Sequence, residues 1–98
     1  MAPVGFFSRR PLAARAAVQH FSRRLRARSD DADAWHALGV AFMALGDRGG
    51  AIAAFRNALR LDHARPQSHL ALGNLLFDCG RLDLALRCFE LAGPPRAS

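Results

Sequence analysis

Lysine is missing from this 98-residue chain, so all fourteen of its cationic side chains are arginine. Gene nucleotide composition accounts for that choice as readily as a demand for bidentate phosphate contacts, and it excludes no function. β-branched residues are nearly as scarce. Valine, isoleucine and threonine together supply four positions against twenty alanines and fourteen leucines, a balance that favours helix throughout and predicts no sheet. Cys79 and Cys88 are too few for a disulfide framework and form no CxxC metal knuckle. They read as two small, partly buried side chains in a reducing compartment. No run approaches the ~18–20 apolar residues that cross a bilayer. Phe6-Phe7 is likewise too short for a secretory hydrophobic region. The expectation is one soluble, cytoplasmic domain with a modest core.

Acids are absent from residues 1–29, which carry seven arginines and a charge of +7, while residues 30–98 balance seven arginines against eight carboxylates for −1. The net +6 is therefore a property of one end of the chain and not of the whole. Chemistry-bearing patterns are also missing. Of His20, His36, His63 and His69, no two stand at i, i+4 and none has a nearby cysteine, so no metal site is expected. Asp30, Asp31 and Asp33 resemble the opening of a calcium loop, but the chain passes straight into Trp35 without the glycine turn or closing glutamate. They serve better as helix caps. Ser22, Ser29 and Ser68 lie in no G-x-S-x-G arrangement, and the glycines from Gly46 to Gly50 lack the lysine of a phosphate loop. Neither a catalytic residue nor a cofactor is expected.

What the chain does contain is a repeat. An offset of 34 residues aligns Ala37 with Ala71, Leu38 with Leu72, Gly39 with Gly73, Gly46 with Gly80, Ala51 with Ala85, Phe55 with Phe89 and Ala58 with Ala92. Phe42/Leu76, Met43/Phe77 and Ile52/Leu86 follow the same offset. Each unit predicts two antiparallel helices, over 33–45 and 49–61, then over 66–78 and 82–92, with turns opened at Gly46 and Gly80. Gly39 and Gly73 fall inside helices, where glycine costs about 1 kcal/mol against alanine. The expected reason is close approach of the alanines on the facing helix. Leu38, Phe42, Ile52, Phe55 and Leu59 then fill the seam, with Trp35 at one end.

The pattern W-x-x-L-G-x-x-F at Trp35, Leu38, Gly39 and Phe42, followed by Gly46-Asp47, Ala51, Phe55 and Ala58, resembles a tetratricopeptide repeat. The second copy keeps Leu72, Gly73, Leu76, Gly80, Ala85, Phe89 and Ala92 but has His69 where the tryptophan stood. Two departures stand out. Gly49-Gly50 occupies the start of a second helix and predicts an easily frayed turn. His63 replaces the proline that closes the family's repeat, while Pro66 opens the next helix. One period upstream of Ala51, Ile52, Phe55 and Leu59 stand Ala17, Val18, Phe21 and Leu25, all apolar, which predicts the second helix of an earlier unit. Val4-Gly5 falls on the Leu38-Gly39 step, but Pro3, Pro11 and Ser8-Arg9-Arg10 argue against a complete first helix.

The organisation implied is all-α, antiparallel hairpins stacked as a short right-handed solenoid of about five helices. Residues 1–11 are expected to be irregular, 12–28 a basic helix forming a degenerate half repeat, 32–65 and 66–93 two repeats, and 94–98 a disordered tail. A targeting presequence over 1–28, which would move the protein to an organelle, stays open, as does a basic arm for nucleic acid or acidic lipid. No recognition motif supports nucleic acid. At the other end, Leu84, Cys88 and Leu91 are expected to form a partly exposed apolar strip.

The resemblance implies a non-catalytic scaffold or adaptor whose first helices line a groove for a partner peptide or amphipathic helix. Asp33, His36, Val40, Met43 and Ala44 would line it in one repeat, and Gln67, Leu70, Asn74, Phe77 and Asp78 in the next. His36 and Val40 stand where the family's chaperone-tail clamp has its lysine and asparagine, so an acidic chaperone tail is not the expected ligand. An apolar segment between Val40, Met43, Leu70 and Phe77, with Asn74 bonding its backbone, fits better. Two alternatives stand beside this: a homo-oligomer built through uncovered terminal helices, and the docking part of a longer catalytic polypeptide.

Overall fold

Helix boundaries in this chain are set by a few specialised residues, and their positions explain the whole architecture. The computed structural model describes the backbone of residues 4–93 and side chains from Leu12 onward. Among the described residues there are five helices and no strand: α1 (Val4–Ala27), α2 (Ala32–Ala44), α3 (Arg48–Leu61), α4 (Pro66–Asp78) and α5 (Leu82–Ala92). Each packs chiefly on its neighbours in sequence. Helices α2 to α5 lie within one residue of the spans the repeat predicts.

Asp31 caps α2 by accepting a hydrogen bond from the Ala34 N–H at 3.1 Å, and Asp47 caps α3 by accepting one from the Gly50 N–H at 2.9 Å. Pro66, which has no N–H to lose, opens α4. The two hairpin turns repeat the same backbone features one period apart. Gly46 (φ +77°) and Gly80 (φ +81°) enter the left-handed region. The Asp47 N–H donates to the Phe42 carbonyl at 2.9 Å and the Arg81 N–H to the Leu76 carbonyl at 2.8 Å, closing the orphaned ends of α2 and α4.

The first helix departs from expectation. Pro11 and the arginine pair predict an irregular segment over 1–11, whereas α1 begins at Val4 and passes through Pro11 without a break. The turn residues explain this. One period before Gly46 stands Leu12, for which a left-handed conformation costs about 1–2 kcal/mol. One period before the capping Asp47 stands Ala13, with no side-chain acceptor. Pro11 forfeits one helical hydrogen bond, but the hairpin that would replace the helix lacks both of its specialised residues. The expectations for residues 1–3 and for the tail at 94–98 lie outside the described residues.

Packing corrects the role of the helical glycines. A Cβ on Gly39 would lie 2.7 Å from Phe55 Cε1, and one on Gly73 would lie 2.6 Å from Phe89 Cε1. The group admitted is therefore an aromatic ring and not, as expected, the facing alanine backbone. Phe55 is completely buried, and its cluster joins Ala51, Leu72, Leu75, Leu76, Ala85 and Cys88 across α3, α4 and α5. A second cluster of Leu25, Ala34, Leu38 and Ala54 ties α1 to the first hairpin, with Val18, Phe21, Trp35 and Phe42 packed around it. Burial on this scale contributes about 1.5–3 kcal/mol for each large side chain.

Two further positions differ from expectation. Cys88 is buried and Leu84 packs beside it, so the apolar residues exposed on α5 are Leu82, Leu86 and Leu91. Cys79 is exposed and Cys88 lies inside, both as free thiols. Gly50 is not a loose turn residue: a Cβ there would meet Asp47 Oδ2 at 2.7 Å and Phe42 Cγ at 3.0 Å, so glycine is what lets the cap close over Phe42. Gly49 has only Asp47 Oδ1 within reach, at 3.8 Å.

The glycines should therefore separate in thermal unfolding. Gly49→Ala is expected to stabilise the chain by about 0.5–1 kcal/mol through helix propensity. Gly39→Ala and Gly73→Ala, which force a methyl group into a ring, are expected to destabilise it by about 1–3 kcal/mol. Equal midpoints for all three variants would refute this account of the packing.

Candidate functional site

The face that α2 and α4 share is built by the repeat itself: Asp33, His36, Val40 and Met43 on α2 recur in register as Gln67, Leu70, Asn74 and Phe77 on α4. Helical geometry keeps residues at i, i+3, i+4 and i+7 on one side, so the core-facing positions leave these outward. The structure divides the eight into two sets. Val40 (49% exposed), Met43 (41%), Leu70 (48%) and Phe77 (58%) present large apolar side chains to solvent, and Gln67 and Asn74 are exposed with them. Ala44 and Asp78 are also exposed at the ends of these helices.

Asp33 and His36 do something else. Asp33 accepts a hydrogen bond from Arg65 Nη2 and forms an ion pair with it. His36 Nδ1 shares a hydrogen bond of 2.8 Å with Ser68 Oγ. Both links join the first repeat to the start of α4. The His36 ring also leans on Phe55, with centroids 5.2 Å apart at 53°. Ser68 is completely buried. A serine beside a histidine has the composition of a nucleophile and base, but no substrate reaches an Oγ with no exposed surface, and this pair holds helices together. Burial, reinforced by the nearby Arg65 cation, pushes the His36 imidazole below its ordinary range, against a smaller opposing pull from Asp33.

A second polar device recurs with the repeat. The Trp35 Nε1–H donates to the Ser29 carbonyl at 2.9 Å, and the His69 Nε2–H donates to the His63 carbonyl at 2.8 Å, each reaching six residues back. His69 thus replaces tryptophan while keeping a ring N–H aimed at the carbonyl one period on from that of Ser29. It is buried, and its Nδ1 has no protein partner. At the α1–α2 joint, Arg24 Nε lies 2.8 Å from Asp31 Oδ2. The Ala34 N–H and this guanidinium hold the Asp31 carboxyl below the usual carboxylate range.

Of the residues expected in a groove, His36, Val40 and Ala44 line a concave site whose other wall, on α1, sequence reasoning missed. A cavity of about 690 Å³ opens between α1 and α2, lined by Ala13, Ala14, Ala17 and Phe21 on one side and His36, Ala37, Val40, Ala41 and Ala44 on the other. The legible signal was an alanine stripe at helical spacing on α1, read only for its fit to the repeat. Among the described residues no three histidine, cysteine, aspartate or glutamate side chains gather as a metal site, and no helix is long and apolar enough to cross a membrane.

A depressed imidazole contributes stability that is present above the unfolded value and lost as pH falls through the folded one. The thermal midpoint of the wild-type chain is therefore expected to fall as pH is lowered below about 6.5. A His36→Gln variant, measured in parallel, should have a flatter profile in that window. Parallel curves for the two proteins would remove His36 as the cause.

The arrangement agrees with known proteins at two levels. A family model described as tetratricopeptide repeat matches residues 32–64, and a second with the same description matches residues 66–92. No curated protein matches the chain. Among solved structures, the crystal structure of MamA superposes on 82% of this chain with a TM-score of 0.80 and 22% sequence identity, a likeness of fold. The chain spans 47% of that protein's length. With both hairpins matched and their glycine, alanine and phenylalanine positions in register, this chain belongs to the tetratricopeptide repeat family.

Proposed function

We propose that this protein-interaction repeat module binds its partner along the α2–α4 face, and that the bound segment is a peptide or amphipathic helix with an apolar side. The observation that carries the reading is the exposure of Val40, Met43, Leu70 and Phe77 on two helices that the repeat places in register. Exposed large apolar side chains grouped in this way mark a surface that is covered in use. The polar groups beside them have distinct tasks. Asp33 and His36 are engaged with Arg65 and Ser68 and keep the face rigid, whereas Asn74 is free to bond a ligand backbone. Binding follows from burial of apolar area on a preformed surface, without a chemical step.

The basic first helix serves this reading as a structural element. Leu25 is buried, and Val18 and Phe21 pack on the cluster formed with Ala34 and Leu38, so α1 supports α2 along the flank of the face. A second reading, self-association, is favoured by Leu82, Leu86 and Leu91 exposed on α5. Sedimentation that stays monomeric at high micromolar concentration would eliminate it.

The principal test is a double variant, Met43→Glu with Phe77→Glu, compared with wild type for capture of proteins from its native source. Both positions are exposed, so the helical circular-dichroism signal is expected to persist while capture falls at least tenfold, since each lost apolar contact is worth about 1.5–3 kcal/mol. Capture unaffected by the two charges would move the site elsewhere.

A further inference from the structure

The cavity between α1 and α2 has an internal counterpart that identifies what fills it. Moving its α1 lining forward by one period turns Ala17 and Phe21 into Ala51 and Phe55 of α3, both completely buried. Moving its α2 lining forward turns Ala37 and Ala41 into Ala71 and Leu75 of α4, which belong to the same cluster. The element seated against Ala51 and Phe55 is α2, whose Gly39 makes room for the Phe55 ring. At the next position α4 seats on α5, with Gly73 against Phe89. The α1–α2 cavity is therefore the place of a first-type helix, and Phe21 is left half-buried where Phe55 is sealed.

We propose that this cavity docks an acidic amphipathic α-helix from a partner protein, one that presents glycine or alanine to Phe21. The size requirement comes from the chain's own two solutions: a Cβ at either equivalent glycine would lie within 2.7 Å of the ring. The lining agrees, because six of its nine residues are alanine and small side chains let a helix axis come close. The charge comes from α1 as a whole, which holds no acid between Val4 and Ala27; helical periodicity sets Arg15, Arg23 and Arg26 on other sides of α1 than the lining, so the attraction acts through the field of the helix. The chain's own Gly5 is spaced from Phe21 as Gly39 is from Phe55, which makes residues 1–11 the rival occupant. Leu12 and Ala13 stand where such a hairpin needs its left-handed glycine and its cap, and α1 runs straight through them. Residues 1–11 are accordingly set aside as the occupant, and the proposal takes the helix from a separate protein. This site meets the α2–α4 face at His36, Val40 and Ala44, while Leu70 and Phe77 on α4 lie outside it.

The probe is a fluorescein-labelled, stapled peptide of residues 31–45, which is acidic, free of arginine, and already known from the fold to seat on such a surface through Gly39. Against the full chain, saturable 1:1 binding is expected from fluorescence anisotropy, weakening as salt rises. A peptide carrying Gly39→Leu, and a protein carrying Ala17→Leu or, at an exposed position, Ala13→Glu, should each bind at least tenfold more weakly. Binding that is absent, or equal for a scrambled peptide, overturns the proposal. So does binding that increases when Gly5→Leu is introduced in the protein, because the segment at 1–11 would then be the occupant. Self-association of the wild-type chain that Ala17→Leu abolishes would likewise overturn it in favour of a second copy.

Discussion

The contact between a helical glycine and the edge of a phenylalanine is the constraint from which the rest of this structure follows. Phe55 against Gly39 and Phe89 against Gly73 set how closely the two helices of each hairpin lie. Any side chain at the glycine would push them apart, and with them the alanines that close the seam at Ala51 and Ala85. The cost of glycine in a helix, about 1 kcal/mol, is small beside the burial of a complete aromatic ring, so the exchange favours the hairpin. Because the contact recurs every 34 residues, successive hairpins inherit the same geometry, and the same side of α2 and α4 is left facing outward.

Polar groups then fix how one hairpin sits on the next. Apolar packing alone tolerates sliding, whereas the His36–Ser68 hydrogen bond and the Asp33–Arg65 ion pair each have a single satisfactory register. Both start on the face proposed to bind a partner and end at the N-terminus of α4, on its cap residue Arg65 and its first-turn Ser68. Two of the residues that line the face are thus its buttresses, and the ligand-facing work falls to the apolar remainder. The ring N–H of Trp35 or His69, turned back to a carbonyl six residues upstream, braces the entry to each repeat in the same way.

How far the sequence could be read depended on whether the information was local or recurrent. Gly46, Gly80, Asp31, Asp47 and Pro66 announce helix ends through their own backbone chemistry, and the helices end there. The pairing of Gly39 with Phe55 was within reach as a repeated spacing, but a spacing does not say whether a glycine admits a ring or a backbone; only the packed structure does. The continuous α1 is not legible from Pro3, Pro11 and Ser8-Arg9-Arg10, which argue for irregularity; the missing turn glycine at Leu12 is what favours one helix. The exposed apolar face was legible from periodicity, since outward positions are simply those the core does not use. Ser68 and Arg65 were not, because they lie 32 residues from their partners and fall on no repeated motif. The α1–α2 cavity is a space between two helices, and a pattern search looks for residues.

Trp35 is the chain's one tryptophan, and there is no tyrosine. Its indole is fixed at the joint between α1 and α2 by the Ser29 carbonyl and by packing on Leu25, Ala34 and Leu38. Intrinsic fluorescence in this protein is therefore a local gauge, sensitive to the loosening of one joint and blind to the second hairpin, while the far-ultraviolet dichroism sums all five helices. In a stack whose units touch only their neighbours, the two signals are free to diverge on heating, and the gap between them measures how strongly the units are coupled.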